Sequence, residues 1–172
     1  FTTPSDRDRE SIEEARKMVE NGGQELKTLL NTDIPSGEKT DELRRNGMTE
    51  WRDLYTDRQL LAHYHYWKAY EDIKEEVRKK HNKDEARSIL TYLAFAADKA
   101  IDYNSRMSSW DASTPKIRNS FERHDFGFKW TFAENNLVAE GLGYEWMLNS
   151  VVEAYEEFRD LSSDKMGGSI VT

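Results

Sequence analysis

The stretch TDRQLLAHYHYWKAYEDIKEEVRKKHNKDEARSILTYLAFAADKAIDYN, residues 56–104, decides the fold. Thr56-Asp57-Arg58-Gln59 opens it as a capping box. A hydroxyl at the cap and an amide three residues on each hold a main-chain N–H that the first turn leaves free. Leu60, Tyr64, Trp67, Tyr70, Ile73 and Val77 then recur at helical spacing, a stripe that needs a partner helix. The partner begins near Asp84. Ala86, Ile89, Leu90, Leu93, Ala97, Ala100 and Ile101 continue a matching stripe that ends on Asn104. The basic turn His81-Asn82-Lys83 is short, so the two long helices run antiparallel.

Outward from this pair the signals remain helical. Ser5 is an N-cap with Asp6, Asp8 and Glu10 in or near the first turn, and Ile12, Ala15 and Val19 follow at helical spacing. Gly22-Gly23 breaks that helix, and Leu26, Leu29 and Leu30 resume it. Residues 31–46 read as a polar loop around Pro35 and Gly37. Thr114-Pro115 is a cap followed by proline at the first helical position, which predicts a short helix to about Phe121. Residues 124–143 are aromatic and irregular, with Gly127, Gly141 and Gly143. A last helix from about Tyr144 places Met147, Val151, Ala154, Tyr155, Phe158 and Leu161 on one face. The fold is therefore mainly α: a long antiparallel helix pair with flanking helices and an irregular aromatic loop region. Residues 1–165 form one helical domain, and 166–172 read as a linker or the start of a strand.

A chain of 172 residues supports a core of its own. Charged residues reach 34%, yet five Trp, eight Tyr and seven Phe supply enough apolar area to exclude disorder throughout. There is no cysteine, so no disulfide forms, which fits a reducing cytosol. No stretch has the length and apolarity of a membrane span. The net charge of −8 argues against a generic nucleic-acid surface, but the charge is uneven. Residues 51–130 carry 15 Lys/Arg against 13 Asp/Glu, and the rest carry 10 against 20.

The chemistry-bearing residues concentrate between Asp102 and Asn136. Asn104 lies on an apolar stripe, where an amide is costly unless its hydrogen bonds are met. Asn104-Ser105-Arg106 suits a base edge, a phosphate or a neighbouring catalytic loop; a buried network that satisfies local main-chain groups is the other reading. Arg118, Arg123, His124 and Lys129 alternate with Phe121, Phe126, Phe128 and Trp130, as cations and rings do on surfaces that bind nucleic acid. The same rings also serve as filling between helices. Arg78, Lys79 and Lys80 form the densest basic run; it is either a phosphate grip or a solvated helix end. Glu134 is placed to pair with Arg106 or Arg123. His63 and His65 diverge on a helix and cannot chelate one metal, and no spacing suggests a nucleophile with its base.

The order of these residues resembles one family. Asp102-Tyr103-Asn104-Ser105-Arg106, Trp110, Ile117-Arg118-Asn119, Phe121, Arg123-His124 and Trp130-Thr131-Phe132-Ala133-Glu134-Asn135 look like a segment of the putative adenine-specific DNA methyltransferases of bacteria and archaea that carry a zinc ribbon. Ile34-Pro35-Ser36-Gly37, Asn46-Gly47-Met48-Thr49-Glu50-Trp51 and Asp53-Leu54-Tyr55-Thr56-Asp57-Arg58-Gln59-Leu60-Leu61 match in the same order, as does a Trp-x-x-x-Glu-x-Asn pattern at Trp130, Glu134 and Asn136. The likeness spans roughly residues 34–160.

The resemblance implies an S-adenosylmethionine-dependent parent enzyme acting on the exocyclic amine of adenine in DNA. It places Arg78, Lys79, Lys80, Arg106, Arg118, Arg123 and His124 as DNA-contacting candidates. Asn104, Ser105, Trp110, Trp130, Glu134 and Asn136 become structural or site-positioning candidates. The family's Asp-Pro-Pro-Tyr-type loop is absent, because Pro4, Pro35 and Pro115 are all isolated. The zinc ribbon is absent for want of cysteine. Gly141-Leu142-Gly143 is a weak cofactor signal. The chain thus reads as a helical segment without a catalytic residue, S-adenosylmethionine site or metal of its own. Its expected partners are DNA and the remaining domains of the parent. A helical protein–protein scaffold without DNA contact is the alternative.

Overall fold

The computed structural model describes residues 3–122 and 126–164. Ser5 and Asp8 form a capping box that starts α1, Asp6–Glu20. Gly23 caps the next helix, α2, Gln24–Thr28, so the glycine pair separates two helices as expected. The segment after it runs as an extended arm, and its Asp33 bridges Glu50 antiparallel. A short helix, α3, Asp41–Arg45, interrupts the predicted polar loop. Its nucleus is local: the Asp41 carboxylate accepts from the Gly37 N–H at 2.9 Å, and the Arg44 guanidinium donates to the Ile34 carbonyl. A 3-10 turn, Trp51–Leu54, leads to the capping box of Thr56 and Gln59.

The long pair is α4, Asp57–Lys80, and α5, Lys83–Tyr103. Asn82 caps α5 by accepting from the Asp84 and Glu85 N–H groups. The Tyr66 hydroxyl donates to the Leu93 carbonyl at 2.8 Å and the Tyr70 hydroxyl to the Leu90 carbonyl at 3.3 Å. Rising numbers on α4 thus meet falling numbers on α5, the antiparallel order. The last helix, α6, Tyr144–Asp164, lies against α5, while α1 lies against α4. The sequence of layers is therefore α1, α4, α5, α6.

Close approach of α5 and α6 rests on small residues. Ala96 and Ala100 are fully buried, and Met147 of α6 fills the space above them together with Leu137. A second cluster, Ile34, Leu43, Met48, Leu54 and Met107, packs under the extended arm, with Trp51, Tyr55, Phe126 and Phe128 around it. Several predicted ring positions thus serve as filling.

The short helix expected after Thr114-Pro115 is not there. Residues 109–118 form a hairpin, with β1, Ser109–Asp111, antiparallel to β2, Lys116–Arg118, and Trp110 opposite Ile117. Asp111 is the reason. Its carboxylate accepts from the N–H and hydroxyl groups of both Ser113 and Thr114, a turn that competes with helix capping and wins. These four bonds hold the Asp111 carboxyl well below the ordinary carboxylate range. A second 3-10 turn, Ser120–Glu122, follows. Residues 126–143 are irregular apart from turns, as expected. The predicted strand or linker at 166–172 lies outside the described residues.

Candidate functional site

The residues singled out around Asn104 converge where α5 ends, against the start of α4 and the loop before α6. Asn104 is 1% exposed. Its side-chain oxygen accepts from Gln59 Nε2 at 3.2 Å and from the Asn135 N–H at 2.9 Å. Gln59 is the capping-box amide, and its Oε1 holds the Thr56 N–H at 2.9 Å. One side chain therefore caps α4 and ties it to the end of α5. The Asn104 carbonyl lies 3.1 Å from His63 Nε2, one turn along α4 from Gln59. A carbonyl only accepts, so Nε2 carries the proton and Nδ1 faces the Tyr144 hydroxyl at 3.4 Å. Tyr144 stacks on Tyr66 at 4.3 Å, which carries the same contact into α6.

Ser105 continues the network. Its hydroxyl accepts from the Met107 N–H at 2.9 Å and meets the Ser120 hydroxyl at 2.7 Å, which donates to the Asp102 carbonyl at 2.8 Å. The Asp102 carboxylate accepts from Asn119 Nδ2 and the Phe121 N–H, so the hairpin is fastened to α5. Ser108 is fully buried, and its hydroxyl shares its one proton between the Ser105 and Ala133 carbonyls, at 2.6 and 2.7 Å. Arg106 donates through its N–H to the Leu54 carbonyl at 2.7 Å and through Nη1 to the Asp53 carbonyl at 2.9 Å. That guanidinium holds the 3-10 turn before α4.

Glu134 does not pair with Arg106, and Arg123 lies outside the described residues. The partner of Glu134 is Arg58, two parallel contacts at 2.9 and 3.0 Å, and Arg58 also reaches the Ser11 hydroxyl of α1 at 3.2 Å. Arg106 is engaged by main-chain carbonyls, and Arg58 projects from the first turn of α4 toward the loop that carries Glu134. Asn136 turns its amide oxygen back to the Val138 N–H at 3.2 Å.

The basic candidates are scattered. Arg78 pairs with Glu75 at 3.0 Å, Lys80 with Glu76, and Arg118 with Asp111 and Glu122 at 3.3 Å each. Lys79 is exposed at the end of α4, remote in sequence from the hairpin. Arg123 and His124 lie outside the described residues. Both candidate tryptophans face solvent: Trp110 on the hairpin, and Trp130, 88% exposed, edge-on to Phe128 at 5.0 Å. Trp110 also borders a cleft of about 550 Å³ with Tyr103, Ile117, Arg118, Asn119 and Trp146.

No family model, curated protein or solved structure matches this chain. The reading of the site therefore rests on its own geometry. Among the described residues, no group of three or more His, Cys, Asp or Glu is placed to hold a metal ion. The Gly141–Gly143 turn, a weak cofactor signal in the sequence, is closed on itself. The Gly141 N–H donates to the Glu145 carboxylate at 3.1 Å and the Gly143 N–H to the Ala139 carbonyl at 3.0 Å, so its donors are engaged within the turn. Nor is any helix of the described residues long and apolar enough to cross a membrane.

Sequence reasoning missed Gln59, His63, Arg58, Ser108 and Asp102 as members of the hub. Gln59 and His63 sit four apart on one helix face, a signal that was available. Arg58 and Asp102 carry none, because their partners are fixed only by the tertiary fold.

Burial holds the His63 pKa below its ordinary value, outweighing the carbonyl contact. The unfolded chain then binds this proton more readily than the folded one. His63 is neutral in both states above about pH 6.5. As pH falls through that value toward the lower folded pKa, stability is lost, with a limiting slope of about 1.4 kcal/mol per pH unit for one proton. Urea midpoints at pH 7.5 and 5.5 should show the decline, and His63→Gln should flatten it. An unchanged slope in that variant would place the pH dependence elsewhere.

Proposed function

We propose that this chain is a helical module of an S-adenosylmethionine-dependent, adenine-specific DNA methyltransferase, and that its work there is to dock and orient the catalytic part. The resemblance supplies the enzyme class. The observation that carries the docking role is α6. Its apolar stripe is left uncovered toward the C-terminal end: Phe158 and Leu161 are exposed, Phe158 by 69%, and Tyr155, edge-on to Tyr92 of α5, is partly so. The periodicity puts these residues on one face, and only its first turns, around Met147, are packed in the core. An isolated soluble helix does not keep such a row in water without a partner surface. Most of the basic candidates, by contrast, are held by neighbouring carboxylates or main-chain carbonyls, which supports docking over a phosphate grip.

DNA contact is the second reading, and it has a specific site. Trp110, Trp146 and Tyr103 line the hairpin cleft with Lys116 and Arg118 at hand, and Trp130 stands free to stack on an unpaired base. A labelled duplex titrated with this chain across salt concentrations separates the two. Docking predicts no saturable binding at about 50 mM salt, where a protein that neutralises several phosphates binds well. Binding that weakens steeply with salt, and that Lys79→Ala/Lys116→Ala/Arg118→Ala abolishes, would give the module a DNA-gripping role instead. Methyl transfer by the isolated chain is not expected under either reading.

A further inference from the structure

Between the N-terminal half of α5 and the middle of α6 lies an open groove of about 700 Å³. Its walls are Ile89, Tyr92 and Leu93 from α5 and Val151, Val152 and Tyr155 from α6. Phe158 and Leu161 extend the apolar surface along α6. We infer that this groove receives an amphipathic helix, apolar on one face and basic along its margins, contributed by the partner of the docking module. The inference rests on the docking reading and adds the chemistry of the occupant.

The helical form follows from the walls. Both are α-helices, whose main-chain groups are already bonded within each helix. An extended segment laid there would find side chains but no ladder to join, and its buried N–H and C=O groups would stay unmet. A helix satisfies its own main chain and offers only side chains, so it fits between two helices as a third.

The basic margin follows from charge. Asp84 and Glu85 stand at the α5 end of the groove, Glu85 beside His81 at 3.5 Å. On α6, Glu153, Glu156, Glu157 and Asp160 recur at helical spacing and form one exposed row, which borders the groove at Glu156, one turn after the wall residue Val152. The helix holds six acids, with Glu145 and Asp164, against Arg159 alone, and Arg159 pairs with Asp160 at 3.1 Å. Lys83 and Arg87 do not offset them, because they line the opposite groove with Tyr70. A second copy of this chain would bring the same acidic row to its own face, like charge against like. An anionic lipid surface would be repelled for the same reason.

Two synthetic helices of about five turns serve as probes, each with leucine at positions i, i+3, i+4 and i+7. One carries lysine on its margins and the other glutamate. At about 50 mM salt the lysine helix should bind the chain at least ~10-fold more tightly than the glutamate helix. Amide shifts should centre on Ile89, Tyr92 and Val152. Val152→Asp/Phe158→Asp, at two exposed positions, should abolish binding with the thermal midpoint unchanged. Glu153→Lys/Glu156→Lys should reverse the preference. Equal affinity for both helices at this groove would overturn the basic margin and leave a docking face standing. Binding of neither helix would overturn the helical occupant. Concentration-dependent dimerisation in sedimentation, lost in Val152→Asp/Phe158→Asp, would overturn the partner in favour of a second copy.

Discussion

Replacing Asn104 with leucine should destabilise the chain by about 3 kcal/mol, read from urea unfolding. Leucine has a similar volume, so packing changes little. What is lost is the oxygen that accepts from Gln59 Nε2 and the Asn135 N–H inside the protein. Each orphaned buried donor costs about 1–3 kcal/mol. The pairing with Gln59 also gives a sharper test. Gln59→Leu removes one of the two orphans in advance, so the double variant should fall short of the sum of the singles by about 1 kcal/mol. Full additivity would mean that the two amides do not share their cost. The experiment also decides between the two readings of Asn104. A residue kept for reading a base would leave stability nearly unchanged on replacement. A residue that joins α4, α5 and the loop before α6 would not.

The parts of the fold legible in the sequence are those encoded locally. Thr56 and Gln59 announce the start of α4, and the short turn at His81-Asn82 forces the antiparallel return. Tyr144 as the start of the last helix also follows from periodicity. The hairpin at 109–118 was misread because two local signals compete there. Thr114-Pro115 favours a helix start, while Asp111 collects four donors from Ser113 and Thr114 and fixes a turn instead. The helix α3 was missed because its support comes from Ile34 and Gly37, in the loop preceding it.

The site divides in the same way. Asn104 stands out because an amide falls where an apolar stripe continues, and it is buried at the hub with Ser105 beside it. Glu134 drew notice as a carboxylate in want of a cation, but the sequence offered several cations and no geometry to choose among them. Arg58 supplies the geometry. The exposed half of α6 reveals a further limit. A periodic stripe states that a helix face is to be covered; it does not state whether the cover lies within the same chain.

Gly143→Ala should be the most damaging change of a single methyl group in this protein, costing at least about 3 kcal/mol. A Cβ there would overlap the carbonyl oxygen, carbonyl carbon and Cα of Leu137. These are main-chain atoms, so no side-chain rotation relieves the clash, and the turn itself must open. Its N–H holds the Ala139 carbonyl, and its own carbonyl accepts the Met147 N–H at 3.2 Å. Moving Leu137 withdraws it from Ala96, Ala100 and Met147, where α6 meets α5. Losing a buried leucine's packing alone costs about 2–5 kcal/mol. It also releases the Tyr144 N–H, which the Leu137 carbonyl accepts at 2.9 Å, and so loosens the ring that touches His63. Two other glycines calibrate the claim. Gly141 has a φ of 71° with open space around it, so alanine there meets only backbone strain of roughly 1–2 kcal/mol. Gly23 has nothing within 4 Å, and alanine there should cost least of the three. Urea midpoints in the order Gly23→Ala, Gly141→Ala, Gly143→Ala, from highest to lowest, are the expected result. A Gly143→Ala midpoint equal to that of Gly141→Ala would mean that the turn before α6 yields easily and does not set how α6 seats on α5.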